Sequence, residues 1–338
     1  MITKASGTSP GSGHPQFTFL RAVAALLIGL ITASAFAAEA FPSRPVRMVI
    51  PFPAGGPADF VGRLFAQHLT DIWGQQVVAD NRSGAAGVIG TETAARSNPD
   101  GHTLLFGSTS TFAVNLVLMK NLPYDVFRDF ALIGLVANAP HVLAVRESLP
   151  AKNVKELIAM AKQQPGKYTF ASAGAGTIVQ MGGELFKYHA GIDILHVPFK
   201  GGAPATIGLL AGEVDMVVND LSAVLQHVKS GKMRVLAAAH TRRLQPLPDT
   251  PTFPELGMPG VVSSTWWGLA VPVKTPADVQ ARIVKAHQQA LGRRDYVERL
   301  AGLAMEPLVL TPEQTSAFIR REIDKWRNIA KVANVRSE

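Results

Sequence analysis

The chain has 338 residues, of which 47% are hydrophobic and 17% charged, with a formal net charge of +8. It contains no cysteine, which excludes disulfides, thiolate nucleophiles, Cys-ligated metal sites and a lipidated N-terminal cysteine together. The length suits about two domains, and the basic pairs Arg242-Arg243, Arg293-Arg294 and Arg320-Arg321 are dispersed rather than gathered, so no nucleic-acid partner is expected.

The N-terminus comes first in chain order. Lys4 and Arg21 precede the apolar run AVAALLIGLITASAFA, Ala22 to Ala37. That run falls short of the roughly 20 residues a membrane span needs. It ends in small residues, with Ala35-Phe36-Ala37 and Ala38-Glu39-Ala40 each fitting a cleavage site. Residues 1–37 therefore read as a secretory signal peptide, and the mature chain is expected in the periplasm, free of a lipid anchor.

Beyond it, β-rich runs alternate with helical patterns. VRMVIPF (46–52) predicts a buried strand stopped by Pro-Gly. DFVGRLFAQHLTDIW follows with apolar residues at helical spacing, then the strand QQVVAD, the Gly-rich turn and short helix GAAGVIGTETAARS, and the strand HTLLFGS. This βαβαβ order predicts a parallel sheet with helices on its faces. The grammar restarts after PHVLAV (140–145): helix NVKELIAMAKQQ, strand YTFASAG, helix TIVQMGGELFKYHAG, strand DILHVPF, helix APATIGLLAGE, and strands VDMVVND and MRVLAAAH. A Pro- and Gly-rich connector (244–260) leads to the strand WWGLAVP and two terminal helices, PADVQARIVKAHQQAL and PEQTSAFIRREIDKWRNIAK. The expected architecture is two α/β lobes joined by two crossings. Lobe 1 is discontinuous (41–141 plus 255–338), lobe 2 spans 142–254, and the terminal helices cover lobe 1.

In such folds ligands sit beyond the carboxyl ends of the strands. Four places meet that description. The first is Pro53-Ala54-Gly55-Gly56, where Pro57 suits the first helical position and Asp59 falls in the first turn; Asp59 either stabilises the helix end or contacts ligand. The second is ASAGAGTIVQ (171–180), which is not a dinucleotide fingerprint because Val179 stands where a glycine is required. The third is FKGGAPATIG (199–208), with Lys200 either a ligand contact or a solvated lysine. The fourth is the pair of strand ends Ser108-Thr109 and Asn219-Asp220. Helix N-termini present unpaired N–H groups and partial positive charge, and so hold anions such as carboxylates. Trp266-Trp267 read either as core or as cleft wall. No nucleophile motif and no metal spacing occurs among the nine histidines, so no metal, cofactor or catalytic group is expected.

Six ordered motifs carry a resemblance: PVRMVIPFPAGGPADFVGRLFA, GAAGVIGTETAARSNPDGHTLLFG, FASAGAGTIVQMGGELF, VPFKGGAPATIGLLAGEVDM, SGKMRVLAAAHTRR and PTFPELGMPG with WWGLAVPVKTP. Together they resemble the Bug-type periplasmic substrate-binding receptors of tripartite tricarboxylate transporters, from about Phe41 to the C-terminal helices. The resemblance implies a type II periplasmic-binding-protein fold and a monomer that closes over a small carboxylate ligand and delivers it to integral membrane transporter subunits. It implies no enzymatic activity. By motif the ligand loops are Phe52 to Asp59 and Ser172 to Thr177. The expected ligand-binding set is therefore Phe52, Ala54, Gly55, Gly56, Asp59, Ser108, Thr109, Ser172, Ala173, Gly174, Gly176, Thr177 and Asp220. Two departures from the family pattern, Ala58 in place of a hydroxyl residue and Gln180 in place of histidine, leave the ligand open. A sensor for a signalling partner, or an α/β enzyme acting on a carboxylate, are the alternative roles.

Overall fold

The computed structural model describes residues 41–335 together with Met1, Ile2 and Gly7, so the apolar run of the expected signal peptide lies outside the described residues. Contacts divide the chain into Met1–Ser43 and Arg44–Glu338, and the second unit carries the fold.

That unit opens with β1 (Val46–Ile50), α1 (Pro57–Trp73), β2 (Val77–Asn81), a 3-10 turn at Ala85–Gly87, α2 (Val88–Ala95) and β3 (Thr103–Ser108). β1 pairs in parallel with both β2 and β3, as the βαβαβ order predicts. A π-helical turn, Ser110–Val114, then runs into α3 (Asn115–Leu118), and α4 (Val126–Asp129) leads into the long strand β4 (Phe130–Arg146). The next stretch holds α5 (Val154–Gln163), β5 (Thr169–Ser172), α6 (Ile178–Ala190), β6 (Leu195–Pro198), α7 (Gly202–Ala211), β7 (Met216–Asp220), α8 (Leu221–Lys229) and β8 (Met233–Ala238). The chain closes with β9 (Ser264–Pro272), α9 (Ala277–Leu291), α10 (Arg294–Gly302) and α11 (Pro312–Val332).

The strands run in the order β2-β1-β3-β9-β4-β7-β5-β6, with β8 also on β4. β4 changes partners along its length. Phe130 to Pro140 pair antiparallel with β9, whereas His141 to Arg146 pair with β7 and β8. Pro140 stands at the changeover, where its missing N–H is tolerated. On the return passage Ser263 N–H donates to Ala239 O and Ser263 O accepts from His141 N–H, while the next residue, Ser264, already pairs with Pro140. The sequence marks the restart at 140–145 but not the ten strand residues before it, nor α8, which starts on the residue after β7 with no linker.

The terminal helices are held by ordinary local chemistry. α11 starts at Pro312 behind a capping box in which Thr311 and Gln314 satisfy each other's N–H groups. α9 packs on α1 and β4, whereas α11 lies against both the π-helical turn and α6. Its Trp326 and the strand residue Trp266 both donate to Glu322 Oε2 at 3.2 Å, and Trp266 stacks on Phe112 with centroids 6.3 Å apart.

Two histidines are held neutral, His287 buried and His196 half-buried. His287 Nε2 donates to Leu135 O at 2.8 Å, and burial outweighs that bond in pushing its pKa down to about 4. Burial alone takes His196 to about 4. An unfolded histidine titrates near 6.5. Between these values the unfolded chain binds more protons than the native one, so stability is full above pH ~6.5 and is lost as pH falls toward 4. Melting temperature, followed by circular dichroism, should fall by several degrees from pH 7 to pH 5, with His287 contributing on the order of 1–2 kcal/mol and the half-buried His196 less. A flat or rising profile across that window contradicts the neutral, enclosed rings.

Candidate functional site

Four helices of nine residues or more begin at one place: α1, α6, α7 and α8. At α1 the apolar run of β1 stops at Pro51, and Gly55 takes φ +81°, a conformation that favours glycine. Asp59 closes this corner on itself. Its Oδ2 accepts from Gly55 N–H at 3.0 Å and its Oδ1 from Arg63 Nε at 2.8 Å. Burial raises the Asp59 pKa, but Arg63, the Gly55 N–H and Asn81 together outweigh it and hold the carboxyl below its usual range. Arg63 also donates to Asn81 Oδ1 at 2.8 Å, and Asn81 Nδ2 donates to Phe52 O at 3.0 Å. Asp59 is thus the brace of the loop. The helix N-cap is Gly56, which has no side chain with which to cap, and among the described residues no acceptor takes the N–H of Gly56 or Ala58.

The corner before α6 is more self-satisfied. Thr177 caps the helix at Gln180 N–H, and Gln180 Oε1 accepts from Gly176 N–H at 2.7 Å. Gln180, the residue that departs from the family pattern, therefore locks its own loop. Ser172 Oγ lies 2.6 Å from His196 Nε2 and accepts from Gly174 N–H at 3.1 Å. Ser172 is 0% exposed and His196 is half-buried. Neither residue of this pair is part of the cavity lining. Ile178 N–H donates to Ser110 Oγ at 3.0 Å, which ties this corner to the π-helical turn after β3.

α7 begins like α1: its N-cap is Gly201, φ +120°, without a side-chain cap. A Cβ on Gly201 would lie 3.3 Å from Pro53, so this corner and the first are in contact. Among the described residues no acceptor takes the N–H of Gly202 or Ala203.

The corners enclose one cavity. Of its roughly 600 Å³ of space between atoms, open mouth included, about 70 Å³ is wide enough for a water molecule's centre, room for several waters or one small organic ion. Seven expected residues line it: Phe52, Ala54, Gly56, Ser108, Ala173, Thr177 and Asp220. Gly55, Asp59, Thr109, Ser172, Gly174 and Gly176 do not. Gly55 and Asp59 bond each other, Gly174 and Gly176 give their N–H groups to Ser172 and Gln180, and Thr109 Oγ1 accepts from Trp266 N–H at 2.8 Å to join β3 to β9. Lys200 is exposed and is absent from the lining.

The lining also includes Ser110 and Thr265, which sequence reading did not place there, together with Val179 from the second candidate stretch and Gly201 to Ala203, ahead of Pro204, from the third. The third loop and Asn219 were visible as candidates, and Gly N-caps were the signal in the third. Ser110 carried none, since its role depends on a partner 68 residues away. Trp266 and Trp267 divide the two readings of the pair: neighbours on a strand face opposite ways, so Trp266 packs against Phe112 while Trp267 lines the cavity. No Lys or Arg lines it, and no group of metal-ligating side chains occurs among the described residues. Attraction for an anion comes from backbone dipoles.

A family model described as the tripartite tricarboxylate transporter family receptor matches residues 61–335. Protein BugT of Bordetella pertussis is 37% identical over 311 residues, covering 90% of this chain and 95% of BugT. The R. palustris protein Rpa4515, solved with adipate, is 32% identical with a TM-score of 0.85, covering 88% of this chain and 99% of that one. The periplasmic binding protein BugD is 34% identical with a TM-score of 0.82, covering 88% of this chain and 100% of that one. The chain shares their two-lobed α/β fold, and it belongs to the receptor family of the tripartite tricarboxylate transporters.

Proposed function

We propose that the mature protein is an extracytoplasmic solute receptor that binds a small organic carboxylate between its lobes and delivers it to a tripartite tricarboxylate-type membrane transporter. The observation that carries this reading is the convergence of the α1 and α7 N-termini, both glycine-capped, on one cavity without cationic side chains. A carboxylate supplies acceptors for N–H groups that the protein leaves open. Hydrogen bonds to a charged group contribute about 1.5–3 kcal/mol each. Four of them, less the cost of ordering the ligand, are consistent with micromolar binding, about −8 kcal/mol. The adipate held by Rpa4515 agrees with a carboxylate ligand.

The lobes, 41–141 plus 255–338 and 142–254, move about the two crossings, where β4 changes partners at Pro140-His141 and the chain returns at Ser263-Ser264. Binding draws an open–closed equilibrium toward the closed form. The receptor acts as a monomer in the periplasm after loss of the signal peptide. Catalysis has no place in the reading: a receptor releases its ligand unchanged.

Thermal-shift screening of the mature protein against mono-, di- and tricarboxylates and their amides tests the reading. Acids should raise the melting temperature and the amides should not, and ligand recovered after incubation should be unchanged. Equal stabilisation by acid and amide, or chemical conversion of the ligand, removes it.

A further inference from the structure

Two residues of the cavity wall each carry a buried polar atom that makes no hydrogen bond among the described residues. Asn219 and Asp220 are 1% and 4% exposed and both line the cavity, yet Asn219 Nδ2 and Asp220 Oδ1 make no hydrogen bond. The Asp220 carboxylate is placed where a simpler use was at hand. It is the N-cap of α8, a position at which aspartate ordinarily accepts from the first-turn N–H groups, but it makes no such bond. His141 Nε2 lies 3.3 Å from Oδ1 outside hydrogen-bond geometry, while the same nitrogen lies 2.9 Å from Thr265 Oγ1. Asn219 Oδ1, by contrast, is used: it accepts from Asp220 N–H at 2.9 Å, which fixes the amide with its NH₂ group free.

Among the described residues, Asp220 is also the only acidic or basic side chain in the lining. A buried polar atom left without a partner is costly, and a carboxylate more so. The cavity therefore has two kinds of demand: open N–H donors at the α1 and α7 ends, joined by the Asn219 amide, and an acceptor at Asp220. An unsubstituted alkanoate or alkanedioate answers only the first and brings negative charge toward Asp220. A zwitterion answers both.

Resting on the receptor reading, we infer that Asp220 is a specificity-determining residue that accepts from an ammonium group of the ligand, so that the ligand is an amino acid whose carboxylate is held by the helix ends and the Asn219 amide.

Titration calorimetry on the mature protein with matched pairs tests this: succinate against aspartate, adipate against 2-aminoadipate, and propionate against alanine. In the best-binding pair the amino acid should bind at least tenfold more tightly than its deaminated counterpart. Asp220→Asn should lower the affinity for the amino acid by tenfold or more and leave the deaminated acid unchanged or tighter. If Asp220 served only to hold His141 and the crossing, the variant would weaken both members of a pair alike, and the inference is overturned. It is equally overturned if the wild-type protein binds the deaminated acid as well as the amino acid, a comparison that needs no variant to fold. Either result leaves the carboxylate receptor standing. Binding by neither member of any pair removes the receptor reading and this assignment together.

Discussion

Gly56→Pro should weaken binding of the best carboxylate by about 100-fold or more while the unliganded protein melts within a few degrees of wild type. Gly56 caps α1 at φ −91° and ψ 173°, not far from the φ that proline imposes. A Cβ there meets only Pro53 O, at 3.8 Å, an ordinary van der Waals contact. What proline removes is the N–H, and its ring carbon then stands where the hydrogen pointed. The lost charge-assisted bond alone is worth roughly 10- to 150-fold, and blocking the approach to Ala58 N–H adds to it. Gly56→Ala keeps the N–H and should bind within about threefold of wild type. Calorimetry on both variants separates the roles of hydrogen bonding and shape. A proline variant that binds within tenfold of wild type would move the anchor out of the first loop.

Much of this site is written locally in the chain. The β1 run ends in Pro-Gly, Pro57 opens a helix, and Gly56 precedes it with no capping oxygen, so an open helix end is legible from nine residues. The same holds for Gly201 ahead of α7. What local chemistry cannot show is which open groups the rest of the fold closes. Asp59 could brace the helix end or reach the ligand, and Arg63, four residues on, decides the matter by taking its free oxygen. Gly174 and Gly176 have the composition of an anion loop, but Ser172 and Gln180 use their N–H groups first. Ser110 and Thr265 enter the lining only because β3 and β9 become neighbours across a separation of more than 150 residues. The fold shows the same limit. Alternating strands and helices predicted two α/β units, but a strand that belongs to both has no signature in period or composition, and Pro140 in its middle reads as a stop.

Gly90→Ala should destabilise the protein by about 2–3 kcal/mol, although alanine is ordinarily the better helix former by about 1 kcal/mol. Gly90 lies inside α2, and a Cβ there would stand 2.6 Å from Arg82 O and 2.8 Å from Pro51 Cα. Both obstacles are backbone, and Arg82 N–H is itself bonded to Ile50 O at 2.9 Å, so neither segment can yield alone. Overpacking of this kind costs about 1–3 kcal/mol, more where only main chain can move. The displacement would not stop at stability. Pro51 precedes Phe52, whose carbonyl Asn81 holds from the neighbouring strand, so a shift in Pro51 tilts the loop that carries the Gly56 and Ala58 N–H groups. Carboxylate affinity should fall by roughly tenfold, since a 1.4 kcal/mol loss is a factor of ten. Gly302→Ala supplies the control: it ends α10 with nothing within 4 Å of the added methyl and should be neutral or slightly stabilising. Chemical denaturation of the three proteins distinguishes the outcomes. A Gly90→Ala variant as stable as wild type would mean that α2 is free to move off the sheet, in which case the first loop is not the rigid donor array that carboxylate capture by helix ends requires.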